Sequence, residues 1–334
     1  MTTAQCGDTG LKWGLLSTAR INHRLIPAIG AAGRAELVGV ASRSQERAEA
    51  YAAEWGIPRA HGSYQSLLDD PDVDVIYISL PNSLHAEWAV RAAEAGKHVL
   101  SEKPLAVSIA ECDRIIAAGK SAGVVVLEAV MYLHHPLLDE ARRLIREGAV
   151  GRVKLVRGSL CIFLDRPDDV RWKPDLGGGA LWDTGSYPVS FIRWMAGEPE
   201  EVFGWQTLAE GGVDETFAGL LRYRSGVLGL FDCGFRTLQR SEAQVFGTEG
   251  TLTITQPYAI SAESGILLRR GSEEEEISVR DIDVYRCEVD AMTAAVLDGA
   301  TVPVSLRSSR SNVATMSALY ASGRSGLPQP VFSA

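Results

Sequence analysis

The sequence predicts a two-domain α/β protein: a helix-covered parallel sheet, then an α+β domain with a large, open, mostly antiparallel sheet. Three observations carry this. A chain of 334 residues exceeds what one ordinary core serves, so two domains are the default. Residues 1–127 alternate short apolar runs with alanine-rich stretches of helical spacing. Residues 128–334 instead string extended segments together through turns.

The elements follow in order. MTTAQCGDTG, residues 1–10, reads as a loose extension; it lacks a basic start and an apolar stretch, so no secretory signal is expected. KWGLLS, AELVGVAS, VDVIYISL, HVLSEK and VVVLEA are β-branched or leucine-rich strand runs. Helical stretches such as SQERAEAYAAEW and SLHAEWAVRAAEAGK separate them. Near-continuous apolar strands alternating with helices mean βαβ units, hence a parallel sheet buried on both faces. Asp69, Asp70, Pro71 and Asp72 stop a helix before VDVIYISL.

In the second half, GRVKLVRGSLCIFL, ETFAGLLRYRS, GVLGLFDCGFRT, SEAQVFGTEGTLTIT and EEISVR are strands, several alternating apolar with polar. Hairpin-joined neighbours imply antiparallel pairing. LDEARRLIREG and VDAMTAAVLDG supply helices for one face of this sheet. No helices remain for the other face, which is expected to meet a second subunit in a homodimer or dimer of dimers, the alternative being a bare solvated face. The acidic run from Glu273 reads as a solvated hairpin edge.

Composition narrows the function classes. A net charge of -9 argues against a general nucleic-acid binder. The longest apolar stretch, GVVVLEAVMYL from Gly123, is broken by Glu128 and too short to span a bilayer, so no membrane partner is expected. The five cysteines are scattered without a CxxC pair, which suits a reducing cytoplasm better than a disulfide or zinc framework.

Five motifs carry chemistry. WGLLSTARINHRLIP places a turn between the first strand and a helix, the context of a dinucleotide loop. The glycines of G-x-G-x-x-G serve the tight turn, the pyrophosphate and helix–strand packing, but here Ser17, Ala19 and Asn22 take their places. A helix N-terminus still offers N–H groups to an anion, and Asn22 or Ser17 could instead simply cap the helix. The second strand ends Ser42-Arg43-Ser44, with Arg47 a turn on. A hydroxyl and a guanidinium bind a 2′-phosphate that a carboxylate would repel, which points to NADP(H), with NAD possible. The alternative is a surface arginine beside a capping serine. Pro81-Asn82-Ser83-Leu84-His85 and Glu102-Lys103-Pro104 lie at carboxyl ends of parallel strands, where such sheets bind ligands. Finally, in LGGGALWDTGSYP, Asp183 and Tyr187 stand i and i+4, on one face of a helix. With Lys103 they form a proton-transfer set; the plain alternative is a capping aspartate and a buried tyrosine.

These pieces, with FGTEGTL, resemble the glucose–fructose oxidoreductase/inositol dehydrogenase/MocA (Gfo/Idh/MocA) family, in order and spacing, from Lys12 to about Leu252. The resemblance implies a Rossmann domain at 1–127 and a substrate-binding and oligomerisation domain at 128–334. It implies oxidation or reduction of a sugar, polyol or related alcohol with a nicotinamide cofactor. By position, Lys103, Asp183 and Tyr187 become the catalytic set. Tyrosine at the last place, and EAVMYLHHP from Glu128, are similar to the branch with glucose–fructose oxidoreductase, NADP-dependent aldose dehydrogenases, dihydrodiol dehydrogenases and some nucleotide-sugar 3-ketoreductases. Leu133 departs from the arginine often found there.

On this reading Ser17, Thr18, Ala19, Arg20 and Ile21 line the pyrophosphate, and Ser42, Arg43 and Arg47 the ribose phosphate. Leu80, Pro81, Asn82, His85, Glu102 and Lys103 shape the nicotinamide end. Tyr187 exchanges a proton with the substrate oxygen, Lys103 lowers the phenol's pKa from its usual value near 10, and Asp183 orients substrate or lysine. Arg171, Trp172 and Lys173 are candidate substrate contacts beside Asp183 and Tyr187. His134 and His135 are adjacent and point apart, so no metal is expected. Rival readings are a dihydrodiol or imine-type dehydrogenase of the same fold, or a non-catalytic dinucleotide-binding regulator.

Overall fold

The computed structural model describes residues 10–332; the expected N-terminal extension, Gly10 apart, lies outside the described residues. The first half runs β1 (Leu11–Leu16), α1 (Asn22–Ala31), β2 (Ala35–Ala41), α2 (Gln45–Trp55), β3 (Arg59–His61), α3 (Tyr64–Leu68) and β4 (Val75–Ile78). It continues α4 (His85–Glu94), β5 (His98–Glu102), α5 (Ile109–Ala122) and β6 (Val126–Ala129). These strands form one sheet in the order β3-β2-β1-β4-β5-β6, all parallel. The strand order reverses beside β1, which opens a crevice at the strands' carboxyl ends between β1 and β4. The apolar runs become strands because both faces are covered: every residue of β4 is buried. Ser44, Ser63 and Ser108 cap α2, α3 and α5 through their hydroxyls.

The short β3 is absent from the sequence expectation. It has only three half-buried residues, Arg59 to His61, at the sheet edge, so no apolar run announces it. At the other edge β6 continues to Ala129, two residues past the expected junction at Leu127.

The second half runs α6 (Pro136–Arg146), β7 (Val153–Phe163), α7 (Ala180–Asp183), α8 (Ser186–Ala196), β8 (Glu201–Leu208), β9 (Asp214–Arg222), β10 (Leu228–Gly234) and β11 (Arg236–Gly247). It ends with β12 (Thr251–Ile254), β13 (Ile266–Arg270), β14 (Glu273–Ile277), α9 (Val284–Asp298), α10 (Leu306–Ser325) and β15 (Gln329–Pro330). The nine-stranded sheet has the order β14-β13-β12-β11-β7-β10-β9-β8-β15, antiparallel except where β10 meets β7. The acidic run is the edge strand β14, its Glu274 paired with Arg269 of β13.

The helices divide unexpectedly. α8 and α10 pack on the large sheet, but α9 returns to the first domain and lies against α1. Its Val289 and Met292 are fully buried in one cluster with Trp13, Leu15, Leu25 and Leu100. The periodicity of VDAMTAAVLDG shows an apolar face but not which sheet it meets. Burying two such side chains contributes about 1.5–3 kcal/mol each. On the opposite face of the large sheet, Phe203, Leu220 and Leu230 stand in register across β8, β9 and β10, beside the exposed Trp205.

Candidate active site

A cleft of about 890 Å³ runs along the carboxyl ends of the parallel strands and is closed on its far side by residues 162–187 of the second domain. It is lined at one end by Ser42, Arg43 and Arg47 and at the other by Glu102, Lys103 and Tyr187, and a smaller chamber of about 340 Å³ shares Lys103, Asp183 and Tyr187 with it. All the expected cofactor residues, from Ser17 to Ile21 through Leu80, Pro81, Asn82 and His85, line this cleft.

The loop without glycines is built differently from the fingerprint. Ser17 holds φ at +137°, a conformation glycine adopts freely and serine does not. Such a residue costs of order 1–3 kcal/mol and persists where its surroundings over-determine it. They do here. Asn22 Nδ2 donates to the Ser17 carbonyl at 2.8 Å, and Ser79 Oγ donates to Asn22 Oδ1 at 2.7 Å. The Ser17 and Ser79 hydroxyls lie 2.9 Å apart, and the Ala19 N–H donates to Ser17 Oγ at 3.2 Å. Asn22 is therefore no cap; it is fully buried and fastens the loop to the end of β4. At the next strand Arg47 Nε donates to Thr18 Oγ1 at 2.9 Å, and Ser44 caps α2 at Arg47's own N–H. Arg43 and Arg47 both act on Tyr64, whose phenol burial pushes up and these cations draw down. A cationic, hydroxyl-bearing pocket with no carboxylate at the end of β2 fits a phosphorylated ribose.

At the reacting end, two strand-end loops are tied together by His85. Its ring is fully buried, with Nδ1 2.8 Å from the Pro104 carbonyl and Nε2 2.8 Å from that of Leu80. His85 thus positions the two loops, more than it shapes a ligand surface. Asn82 Nδ2 donates to the Gly177 carbonyl at 2.9 Å, a link between the domains. Gly177 has φ +73°, and a Cβ there would lie 2.9 Å from that of Asn82. At Gly179, φ +120°, a Cβ would fall 2.1 Å from Asp214 Oδ1. The glycine run is a close-approach loop.

Lys103 Nζ donates to Asp183 Oδ1 at 2.8 Å, and Arg171 Nε to Asp183 Oδ2 at 2.5 Å. Burial would raise the Asp183 carboxyl, but the two cations prevail and hold it well below the usual carboxylate range. Arg171 also pairs with Asp169, which accepts Arg20 of the dinucleotide loop at 3.5 Å and Arg166 at 3.0 Å.

Three expectations need correction here. Asp183 and Tyr187 do not share a helix: α7 stops at Asp183, the Gly185 N–H reaches back to the Ala180 carbonyl, and α8 begins at Ser186. The side chains still converge, through Lys103. Second, Lys103 does not sit on the phenol oxygen; its ammonium lies 4.7 Å from the Tyr187 ring centroid, over the ring face. Burial, then Glu102 and Asp183, push the Tyr187 phenol well above its usual value, so it is neutral near pH 7. Its hydroxyl meets Met131 Sδ at 3.8 Å, a weak acceptor that a substrate oxygen would outcompete. Third, neither Trp172 nor Lys173 lines either cavity. Trp172 packs edge-on against Phe235 beneath Arg236, and Lys173 points to solvent. Arg171 alone of the three reaches the site. Leu133 is buried in the core and lines neither cavity.

Several site residues escaped the sequence reading. The smaller chamber is completed by Gln239, Ser241, Gln256 and Tyr258. Gln239 and Ser241 share a face of β11 by strand alternation, a pattern that shows a face but not what it faces. Ser241 Oγ is buried and finds no partner among the described residues, and Gln256 holds φ at +47°. Among the described residues no group of His, Cys, Asp and Glu could hold a metal ion. His134 is buried in the turn Met131–His134, and His135 Nδ1 caps α6 at the Leu137 N–H. No helix of the described residues is long and apolar enough to cross a membrane.

Comparison with known proteins agrees with this geometry. Residues 11–130 match the family model described as an oxidoreductase family with an NAD-binding Rossmann fold, and 138–253 match the GFO/IDH/MocA C-terminal domain. The chain is 37% identical to D-xylose 1-dehydrogenase (NADP(+)) 2 of Haloferax volcanii, over 95% of this chain and 98% of that protein. It is 33% identical to trans-1,2-dihydrobenzene-1,2-diol dehydrogenase of Mus musculus, over 75% of this chain and 76% of that protein. A 3-ketoreductase from Actinomadura kijaniata, solved with NADP and TDP-benzene, superposes with a TM-score of 0.89 at 28% identity, covering 94% of this chain and 98% of that one. The chain belongs to the GFO/IDH/MocA oxidoreductase family. It is a nicotinamide-dependent oxidoreductase of the kind that acts on CH–OH groups.

Proposed function

We propose that the protein is an NADP-dependent oxidoreductase that moves a hydride between the nicotinamide and a sugar, polyol or related keto-sugar. The observation that carries this is the meeting of Lys103, Asp183 and Tyr187 at the junction of a dinucleotide-sized cleft with a smaller polar chamber. The bound nicotinamide supplies or accepts the hydride at its C4. In the direction of reduction Tyr187, neutral and half-buried at the cavity wall, gives its proton to the substrate's carbonyl oxygen, and in oxidation it takes the proton back. Lys103 stabilises the phenolate left behind through the ring face, while Asp183 and Arg171 fix the lysine in place. Gln239, Ser241 and Gln256 offer hydroxyl-matching hydrogen bonds, and the tyrosines offer an apolar wall, a mixture suited to a carbohydrate. The xylose dehydrogenase and 3-ketoreductase relatives support that class. Oligomers of two or four subunits through the exposed face of β8, β9 and β10, and a reducing cytoplasmic setting for the free cysteines, belong to the same proposal.

The test is NADP reduction with aldoses, polyols, cyclitols and dihydrodiols, beside NADPH oxidation with keto-sugars, in wild type and Tyr187→Phe. Turnover with a carbohydrate, falling roughly 10²–10⁴-fold in the variant while NADP still binds, is expected. Turnover confined to dihydrodiols would move the assignment to the aromatic branch, and near-normal turnover in the variant would remove Tyr187 from its role.

A further inference from the structure

α7 carries Asp183 at its last position, yet a helix of four residues is too short to hold its own shape. The Asp183 N–H donates to the Gly179 carbonyl at 3.2 Å, and the Gly185 N–H closes the turn on Ala180 at 2.8 Å. The first N–H groups of a helix have no partner within it and need one from outside. That of Leu181 finds a side chain: Asp214, the first residue of β9, accepts it on Oδ2 at 2.7 Å.

Asp214 is 2% exposed and lines neither cavity. Its Oδ1 accepts the hydroxyl of Tyr320, on α10, at 2.7 Å. The Tyr320 ring also packs on Trp182 of α7, with centroids 5.3 Å apart, so it braces the carboxylate and the turn together. The bare backbone of Gly179 presses on the same oxygen. Burial pushes the Asp214 carboxyl up to about 6, against the bonds from Tyr320 and Leu181, so it is chiefly a carboxylate near pH 7. An apolar residue would fill this space without the penalty of burying a charge. What the carboxylate adds is a charged acceptor aimed at the backbone of α7.

The grip matters at the other end of the turn. Lys103 Nζ donates to the Asp183 carbonyl at 3.2 Å as well as to its Oδ1 at 2.8 Å. A displaced α7 therefore moves two acceptors of the lysine at once, and with them the ammonium that lies over the Tyr187 ring.

We propose that Asp214 is a positioning residue for the reaction: by fixing the start of α7 it sets where Asp183 holds Lys103 against Tyr187. It acts through Asp183 alone. This rests on the reading of Lys103, Asp183 and Tyr187 as the catalytic set.

Steady-state kinetics and cofactor titration of the full-length protein test it, with NADP and the aldose or polyol that turns over in the panel above. Asp214→Ala is expected to lower kcat roughly 10- to 100-fold, with NADP affinity and the sugar KM within about twofold of wild type. Asp214→Asn is expected to recover turnover relative to alanine, because its amide oxygen still accepts the Leu181 N–H while its Nδ2 donates to the Tyr320 oxygen. In an Asp183→Ala background, adding Asp214→Ala is expected to cost about twofold or less, since the residue it acts through is already gone. A merely structural role would weaken NADP binding along with kcat, and its cost would persist in that background. Either result, a normal kcat in Asp214→Ala, or an asparagine variant no faster than the alanine one overturns the proposal. Asp214→Glu, which moves both oxygens by one methylene, replaces alanine with the same expectations if that variant does not fold. Full turnover in Asp183→Ala alone would instead overturn the catalytic reading beneath it.

Discussion

In the proposed reaction Tyr187 enters in its protonated form, because its surroundings disfavour the phenolate. Burial, Glu102 and Asp183 all oppose the phenolate, and Lys103 is turned to the ring face instead of the oxygen. That Lys103, Asp183 and Tyr187 come together was legible, because EKP and D-x-G-x-Y place a lysine, an acid and a phenol at recognisable spacings. How they interact was not, since Arg171 and Lys103 hold opposite oxygens of Asp183, and Arg171 comes from a segment that spacing could not pair with them. That Ser42, Arg43 and Arg47 line one end of the cleft was legible for a simpler reason: they sit at or just after a strand end whose direction the sequence already specifies. Their partners Thr18 and Tyr64 come from other elements and could not be paired with them from spacing. Arg43→Ala is expected to raise the Michaelis constant for NADP roughly 10- to 100-fold, the equivalent of about 1.5–3 kcal/mol for a charge-assisted hydrogen bond, while that for NAD changes little. An unchanged NADP-to-NAD ratio would show that Arg43 does not read the phosphate.

Among the elements, the β1–α1 loop departs furthest from its pattern and is the one whose replacement parts are visible. Glycine's freedom at Ser17 is exchanged for a backbone held by Asn22 and Ser79. Asn22→Ala removes both of its buried hydrogen bonds and leaves the Ser17 carbonyl and Ser79 hydroxyl short of partners. It is expected to destabilise the fold by about 2–4 kcal/mol and to weaken NADP binding, as read by chemical denaturation and cofactor titration. Stability within about 0.5 kcal/mol of wild type would mean that the loop keeps its shape for other reasons. The sequence could show that the glycines were missing, but the compensating Ser79 lies 62 residues from Ser17, beyond any local pattern. The break between α7 and α8 was hidden likewise. Nothing in the spacing of Asp183 and Tyr187 distinguishes one helix from two when Gly185 can adopt either path.

Across the whole molecule, both sheets were legible from strand character, and so was the change from parallel to antiparallel pairing. The exposed Leu220, Leu230 and Trp205, with the half-buried Phe203 in register beside them, are the surface on which the proposed oligomer would rest. Leu220→Arg is expected to yield monomers by light scattering with the far-ultraviolet spectrum unchanged. An undiminished oligomer would locate the interface elsewhere. The path of α9 was not legible, because an amphipathic helix announces its apolar side and nothing about its destination.

That path bears on the order in which the protein can mature. Chains emerge from the ribosome N-terminus first, so the six-stranded sheet is synthesised long before Val289 and Met292, which complete its hydrophobic cluster. Until then Trp13 and Leu25 lack part of their cover. The dinucleotide half is made first but finished almost last. A chain terminated anywhere before α9 therefore carries the whole phosphate-binding loop and yet lacks the support beneath it, which makes cofactor retention a readout of complete synthesis.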